Sequence, residues 1–270
     1  LSLPPGSEGW SLLDVGATKP PARLNHTAIY DPFHQRMIIF GGWDGTDYLS
    51  DVWALDLEPG SIRWYQLAPE GDPPSGRVGH SAICEGGDRR MVIFGGYTVR
   101  STPEGSIFVY LNDVWALSLY GINGSWQQVT PAGYPPTGRR GHVAVYDQHR
   151  SRMLMHGGFN GELLRDTLSL NLVSGSELWA PLVPTGGAEL PFRTGHAGVY
   201  DEAGHDLLVW GGYETTAGRT NSGMILDADA ITWSVLVAGG TPPSARNNHT
   251  AIYDAANNRV IIYGGSDGEQ

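Results

Sequence analysis

The sequence predicts an all-β protein built from five copies of a unit of four short strands. Three observations support this fold class. The 38 glycines and 18 prolines are scattered at turn-like sites such as Pro20-Pro21 and Gly41-Gly42, and no linker divides the chain. The apolar runs are short and lie between these turns. A histidine recurs five times, each time with a glycine pair at the same distance behind it.

The repeat is defined by fixed distances from these histidines. In every unit the first glycine of the pair stands 15 residues after the histidine, and an arginine stands three residues before it. A tryptophan precedes each histidine by 16 or 17 residues, and the units are 53 to 62 residues long. The histidines that define the units are His26, His80, His142, His196 and His249.

Each strand of the unit can be read from the first copy. The runs "HTAIYD" and "RMIIFGG" are joined by the polar turn "DPFHQR", which suits a hairpin; we call these strands a and b. The segment "DVWALDL" alternates apolar and polar residues and forms strand c, and "WYQL" forms a short strand d. A period of this length with four antiparallel strands and a tryptophan is typical of a β-propeller blade.

The run "RMIIFGGWDG", followed by "DVWALDL" and a tryptophan, resembles a kelch repeat. The resemblance recurs in all five units and covers nearly the whole chain, so we expect residues 1–270 to form a single kelch-type β-propeller domain. Kelch domains serve many roles, and the resemblance therefore implies a fold without fixing a function.

The two ends of the chain predict how the ring closes. The opening "LSLPPGSEGW" aligns with "LDLEPGSIRW" at residues 55–64, so the chain begins inside a strand c; it ends just after a strand b, at "VIIYGG". We therefore expect five blades, one of them formed by N-terminal strands c and d paired with C-terminal strands a and b. The alternative is a larger propeller, of six or seven blades, of which this sequence is a part.

Composition excludes several classes of partner. The formal net charge is -11, with 28 acidic and 17 basic residues, which disfavours nucleic acid and anionic membranes. No apolar run approaches the roughly 18 to 20 residues of a membrane span, so no membrane insertion is expected. Cys84 is the single cysteine, which rules out an internal disulfide and a cysteine-based zinc cluster. We expect no metal and no cofactor, and a chain that is monomeric or part of a larger one; its compartment is not indicated.

One end of the propeller is expected to bind a ligand. Because strand b returns to the end where strand a starts, the arginines before strand a and the residues after the glycine pair share one mouth. Arginine and aromatic side chains together suit carboxylates and acidic sugars. The alternative is that the arginines tie each loop to its neighbour. The expected ligand-binding residues are Arg23, Arg77, Arg139, Arg193, Arg246, Trp43, Tyr97, Arg100, Phe159 and Tyr213.

Departures from the repeat are the better functional signals, because the architecture does not demand them. Unit two carries an insertion at residues 97–112, which should rise over the mouth. His156 replaces the aromatic residue before the glycine pair, and unit four lacks the tryptophan and acid of strand c. No familiar catalytic motif is present.

These features favour a non-enzymatic binding module that recognises a protein segment or an acidic carbohydrate. A propeller enzyme acting on a small carbohydrate, similar to a mutarotase or an oxidase, and a purely structural domain are the alternatives.

Overall fold

The structure, a computed structural model, describes residues 9–268. It confirms the all-β kelch-type fold, since its main sheets are antiparallel and four of them contain a complete set of strands a to d. We call the successive sheets blades 1 to 5. In the part of the chain that the structure describes, no helix is long and apolar enough to span a membrane.

Blades 1 and 2 each run from an inner strand a to an outer strand d. Blade 2 also carries an extra hairpin, β7–β8, in the place of the predicted insertion. The strands are β1 (Thr27–Asp31), β2 (Arg36–Phe40), β3 (Val52–Asp56), β4 (Arg63–Leu67), β5 (Ser81–Glu85), β6 (Arg90–Phe94), β7 (Tyr97–Thr102), β8 (Gly105–Tyr110), β9 (Val114–Ser118) and β10 (Trp126–Val129).

Blades 3 and 4 repeat this order, with short additional strands in their loops. Strand β11 pairs in parallel with the outer strand of blade 3, and β16, β19 and β20 form a small sheet above blade 4. The strands are β11 (Ala132–Gly133), β12 (Val143–Asp147), β13 (Arg152–Phe159), β14 (Leu163–Asn171), β15 (Leu178–Pro181), β16 (Arg193–Thr194), β17 (Ala197–Asp201), β18 (Asp206–Trp210), β19 (Tyr213–Glu214), β20 (Gly218–Arg219), β21 (Gly223–Asp227) and β22 (Thr232–Val235).

Blade 5 contains two described strands, β23 (Thr250–Asp254) and β24 (Arg259–Tyr263), joined by a 3-10 turn at Ala255–Asn257. Most of the N-terminal strand c predicted to complete this blade falls in residues 1–8, outside the described residues. The predicted strand d at residues 10–13 is not formed. Trp10 instead packs on Tyr263, with ring centroids 5.0 Å apart. The five-bladed closure stays a prediction.

A chain of backbone hydrogen bonds connects the inner strands near the propeller axis. It joins the residues that precede the repeated histidines. The amide of Gly79 donates to Asn25 O (3.0 Å), Gly141 to Gly79 O (2.9 Å), Gly195 to Gly141 O (2.8 Å) and Asn248 to Gly195 O (2.7 Å). Between Asn248 and Asn25 the described backbone shows no such bond. The inner strands are therefore linked in order from blade 1 to blade 5.

Apolar residues fill the joints between neighbouring blades. In blades 1 and 2 the aromatic residue before the glycine pair packs on the strand-d tryptophan of the next blade: Phe40 on Trp126 and Phe94 on Trp179, each pair with centroids 5.1 Å apart. Burial of each such aromatic side chain is worth about 1.5 to 3 kcal/mol. The repeated tryptophans are thus explained by packing between blades.

The contact between neighbouring blades also requires the glycine pair. Gly41 has a φ of 69°, and a Cβ there would lie 2.9 Å from the carbonyl oxygen of Arg77 and 3.0 Å from Cε1 of His80. An L-residue would be strained by the left-handed backbone and would collide with the next blade. The repeated glycines and histidines therefore record how one blade contacts the next.

Candidate functional site

The candidate site is the mouth formed by the loops before strand a and after strand b. Isolated antiparallel bridges join these loops in successive blades: Leu24 with Trp43, Val78 with Tyr97, and Arg140 with Phe159. The residue that follows each glycine pair therefore lies beside the residue two positions before the repeated histidine.

The mouth arginines are held by their own blades. Arg77 is buried, donates at 2.7 and 2.8 Å to the two carboxylate oxygens of Asp113, and donates at 3.1 Å to the carbonyl of Gly95. Burial opposes ionisation of Asp113, but the hydrogen bonds and charge of Arg77 outweigh it and lower the pKa of this carboxyl group. Arg23 makes the equivalent contacts with Asp51 and the carbonyl of Gly41. Arg139 makes them with Asp166 and the carbonyl of Gly157.

Blades 4 and 5 vary this arrangement. Blade 4 has no acid at the start of strand c, and Arg193 instead binds Glu214 from the neighbouring loop and the carbonyl of Ser222. Arg246 is partly exposed and donates to the carbonyl of Gly264 at 2.8 Å. All five arginines thus hold mouth loops in place, which is the role given by the alternative interpretation. Ligand contact by these residues stays a prediction.

The predicted aromatic residues are more accessible. Trp43 and Tyr213 are 38% and 44% exposed, and Tyr97 and Phe159 are half-buried. Arg100 is exposed on the β7–β8 hairpin. These side chains can be reached from solvent without unfolding a loop.

Arg140 is the mouth residue that the sequence analysis missed. It is exposed, and its guanidinium carbon lies 5.2 Å from the ring centroids of both Tyr97 and Phe159. Among the described residues its guanidinium has no carboxylate partner. The available signal was a column that changes from unit to unit, since Leu24 and Val78 occupy the same position in blades 1 and 2.

Further aromatic rings continue outward from Arg140. Tyr48 and Phe108 lie 5.8 and 5.9 Å from Tyr97, and Tyr110 lies 6.0 Å from Phe159. Phe108 is 68% exposed and its neighbour Ile107 is 50% exposed, so strand β8 of the hairpin presents apolar side chains to solvent. We call the following residues the Arg140 cluster: Arg140, Tyr48, Tyr97, Phe108, Tyr110 and Phe159.

The electrostatics of the mouth favour an anionic group at Arg140. The nearby loop acids Asp51, Asp113 and Asp166 are each bound by an arginine of their own blade. The Arg140 guanidinium lies within cation–π distance of both Tyr97 and Phe159, and a guanidinium can donate two parallel hydrogen bonds to a carboxylate. A positive group is therefore available on a protein whose net charge is -11.

The repeated histidines and His156 contribute packing between neighbouring blades. His156 is 1% exposed, lies 3.1 Å from the hydroxyl of Thr167 and packs against Trp233. Burial, and then the charge of Arg193, lower the pKa of His156 to about 4, so it is neutral at physiological pH. Within residues 9–268 no group of three or more histidine, cysteine or acidic side chains is arranged to hold a metal ion.

Comparison with known proteins matches the chain to one domain family. The model of the KLHDC2/KLHL20/DRC7 Kelch-repeats domain matches residues 3–186 and 174–270. Adagio-like protein 3 of Oryza sativa subsp. japonica is 29% identical over all of this chain and 42% of its own length. Adagio protein 3 of Arabidopsis thaliana is 30% identical over 95% of this chain and 40% of its own length.

Host cell factor 2 of Homo sapiens is 27% identical over 91% of this chain and 31% of its own length. The chain therefore spans less than half the length of these relatives.

Proposed function

Because the chain belongs to the kelch-repeat domains of the KLHDC2/KLHL20/DRC7 family, we propose that it is a non-enzymatic protein-interaction module. It binds an acidic segment of a partner protein at the mouth. The observation that carries this proposal is the exposed guanidinium of Arg140, which lies 5.2 Å from the ring centroids of Tyr97 and Phe159 and has no carboxylate partner among the described residues.

Each part of the Arg140 cluster has a role in this proposal. Arg140 binds a carboxylate of the partner, and Tyr97 and Phe159 keep its side chain extended, which lowers the entropy lost on binding. Ile107 and Phe108 contact apolar side chains next to that carboxylate. Tyrosine, arginine and other large anchors of this kind supply most of the energy of protein interfaces.

A protein segment fits the surface better than the alternatives. An acidic carbohydrate could also meet the guanidinium, but it would leave the apolar side chains of Ile107 and Phe108 on β8 without a matching group. The comparisons lend support to protein interaction and none to carbohydrate binding or to an enzyme.

A peptide library displayed on phage and selected against the chain tests the proposal. Selected peptides should be rich in Asp or Glu beside an apolar residue. Their affinity, measured by calorimetry, should fall about tenfold to a hundredfold in Arg140→Ala. Arg140→Lys should give a smaller loss, because it keeps the charge without the planar contact.

Arg63→Ala is the matched control, since Arg63 is exposed on the outer strand β4, and it should leave affinity unchanged. Peptides that bound Arg140→Ala as tightly as the unaltered chain would refute the proposal. If an anionic oligosaccharide bound through Arg140 and no peptide displaced it, carbohydrate binding would replace the proposed protein interaction.

A further inference from the structure

A second exposed arginine lies on aromatic rings at the opposite end of the propeller from the mouth. This end holds the turns from strand a to strand b and from strand c to strand d, because antiparallel strands alternate in direction. Arg89 is exposed in the first of these turns of blade 2, and its guanidinium carbon lies 4.4 Å from the ring centroid of Phe33 and 5.5 Å from that of Tyr120. The adjacent Asp88 pairs with Arg90. Over residues 9–268 no carboxylate pairs with Arg89, so its positive charge is available to a ligand.

In blade 4 the position equivalent to Arg89 is His205. Both residues precede strand b with a left-handed backbone, and their φ angles are 51° and 56°. The carbonyl of each accepts a hydrogen bond from the residue that follows strand c. Leu119 N donates to Arg89 O at 2.7 Å, and Ala228 N donates to His205 O at 3.0 Å. A ring of the preceding blade lies on each side chain. The turns of the two blades can therefore be compared residue by residue.

Blade 4 has a carboxylate at this position, and blade 2 does not. His149 stacks on His205 with ring centroids 4.5 Å apart, and Nδ1 of His205 lies 3.1 Å from a carboxylate oxygen of Asp229. The residue of blade 2 at the position of Asp229 is Tyr120, since each directly follows the amide that binds the turn. Blade 2 thus keeps the nitrogen donor and the ring but lacks the carboxylate. The comparison specifies a carboxylate as the group that Arg89 can bind.

Apolar side chains lie beside the guanidinium on ordered turns. Tyr120 and Ile122 are 60% and 68% exposed, and Phe33 is 39% exposed. The carbonyl of Ile122 accepts a hydrogen bond of 2.7 Å from buried Arg36. The amide of Phe33 donates to buried Asp31 at 3.0 Å. Because these turns are already held in place, little entropy is lost when a partner binds. We call the following residues the Arg89 patch: Phe33, Arg89, Tyr120 and Ile122.

The charges at this end of the propeller favour a short acidic segment over an extended anionic surface. Blade 4 places Asp206 beside Asp201 and Asp227 of the neighbouring strands, so three carboxylates lie together at the same end. An anionic bilayer or a nucleic acid would extend over these carboxylates and be repelled. A protein segment with one or two acidic residues can contact the Arg89 patch alone. Asp or Glu beside an apolar residue matches both the guanidinium and the exposed rings.

We propose that the Arg89 patch is a second protein-binding surface, for a segment of a partner protein that carries Asp or Glu beside an apolar residue. The partner's carboxylate takes the place that Asp229 fills in blade 4, and its apolar side chain packs on Tyr120 and Ile122. Because the mouth lies at the other end of the propeller, the chain holds two protein segments at once. The Arg89 patch binds its segment whether or not the mouth is occupied.

A peptide library displayed on phage and selected against the Arg140→Ala chain tests this surface, because that variant disfavours peptides that bind at the mouth. Selected peptides should contain Asp or Glu beside an apolar residue. Their affinity, measured by calorimetry, should fall about tenfold to a hundredfold when Arg89→Ala is added. Arg165→Ala is the matched control and should leave affinity unchanged, since the exposed guanidinium of Arg165 lies 4.5 Å from the ring centroid of Phe192 at the mouth end.

Two variants of Tyr120 distinguish carboxylate binding from a structural role of the turn. Tyr120→Asp supplies the carboxylate that blade 4 has in Asp229, and this internal carboxylate should compete with the peptide and weaken it by about tenfold or more. Tyr120→Ser removes only the ring contact and should weaken the peptide by about threefold. Val173→Ser changes the exposed residue at the same turn position of blade 3 and should leave affinity unchanged.

Three results would each overturn this second surface. The first is a library that yields no peptide whose affinity depends on Arg89. The second is equal affinity of the peptides for Tyr120→Asp and Tyr120→Ser. The third is binding of phosphatidylserine vesicles through Arg89 with no peptide able to displace them, which would assign the patch to a membrane. Peptides selected on the mouth should keep their affinity in Arg89→Ala, so a failure at one end is distinguishable from a failure at the other.

Discussion

Arg77 donates two hydrogen bonds, of 2.7 and 2.8 Å, to the carboxylate of Asp113, and they join the start of strand a to the start of strand c in blade 2. Because the arginine is buried and also binds the carbonyl of Gly95, removal of its side chain leaves a carboxylate and a carbonyl without a partner. The ion pair therefore stabilises the mouth loop.

Arg77→Ala should lower the free energy of unfolding by about 3 kcal/mol, measured by urea denaturation. Arg77→Lys should lose less, because it keeps the charge but cannot bind both oxygens in one plane. The control is Arg63→Ala, on an exposed outer strand. A change in Arg77→Ala no larger than in this control would contradict a structural role for the arginine.

His156 should make stability depend on pH. Its pKa falls from 6.5 in the unfolded chain to about 4 in the folded chain, so between these values the unfolded state binds the extra proton. Stability is therefore lost as pH falls below 6.5, and the loss due to His156 should reach about 2 kcal/mol at pH 5.

His156→Phe restores the aromatic residue found in other units and removes this proton site. Urea denaturation at pH 8 and pH 5 should show a smaller loss for this variant than for the unaltered chain. His142 and His249, with pKa values lowered by burial to about 3 and about 4, contribute equally to both proteins. If the loss of stability between pH 8 and pH 5 were the same in both proteins, the pH dependence could not be assigned to His156.

Asp206 should destabilise blade 4. In blade 1 the residue at its position is Arg36, which binds Asp31 at 2.9 Å and the carbonyl of Ile122 in the next blade at 2.7 Å. Burial, and then the carboxylates of Asp227 and Asp201, raise the pKa of Asp206. The folded chain therefore holds a carboxylate near two others where blade 1 has an ion pair.

Asp206→Arg should raise stability by about 1 kcal/mol at pH 7, and thermal unfolding would measure the gain. The gain should shrink at acidic pH, where the carboxyl group of Asp206 is protonated. Asp72→Arg makes the same change in net charge at an exposed linker position and serves as the control. An equal gain in both variants would show that the effect comes from net charge alone.

Phe108 should matter for binding and little for folding. Its side chain is 68% exposed on strand β8 of the β7–β8 hairpin. Phe108→Ser should weaken the peptides selected on the mouth by about tenfold, measured by calorimetry, with the midpoint of thermal unfolding nearly unchanged. Tyr134→Ser, at a linker position 84% exposed, is the matched control. Loss of binding in both variants would point to a non-specific effect.

The sequence predicts the blades well because the repeated columns are contacts between blades. Gly41 packs directly on His80 of the next blade, which is why both a glycine and a histidine recur in every unit. The arginine column records a contact within each blade, but sequence cannot distinguish a guanidinium facing solvent from one facing Asp113. That distinction depends on the distance between two loops, which only the folded blade determines.

The candidate site was predicted in part, and the reason lies in its position. Tyr97 and Phe159 follow glycine pairs and are found by alignment, whereas Arg140 lies in a column that varies. Its contacts with Tyr97 of blade 2 and Phe159 of blade 3 join these blades, and no spacing along the chain encodes them. The β7–β8 hairpin was detectable as an insertion, but the aromatic contacts between Phe108 and Tyr97 depend on how the hairpin folds back.

The axial chain of hydrogen bonds has a direction. Every amide in it points to the carbonyl of the preceding blade, so the peptide dipoles run head to tail around the axis from Asn25 to Asn248. One end presents the amide of Asn25 and the other presents the carbonyl of Asn248. A strand that enters the seam between blades 5 and 1 must offer an acceptor to the first and a donor to the second. The backbone groups at this seam therefore determine the direction of such a strand, independently of its side chains.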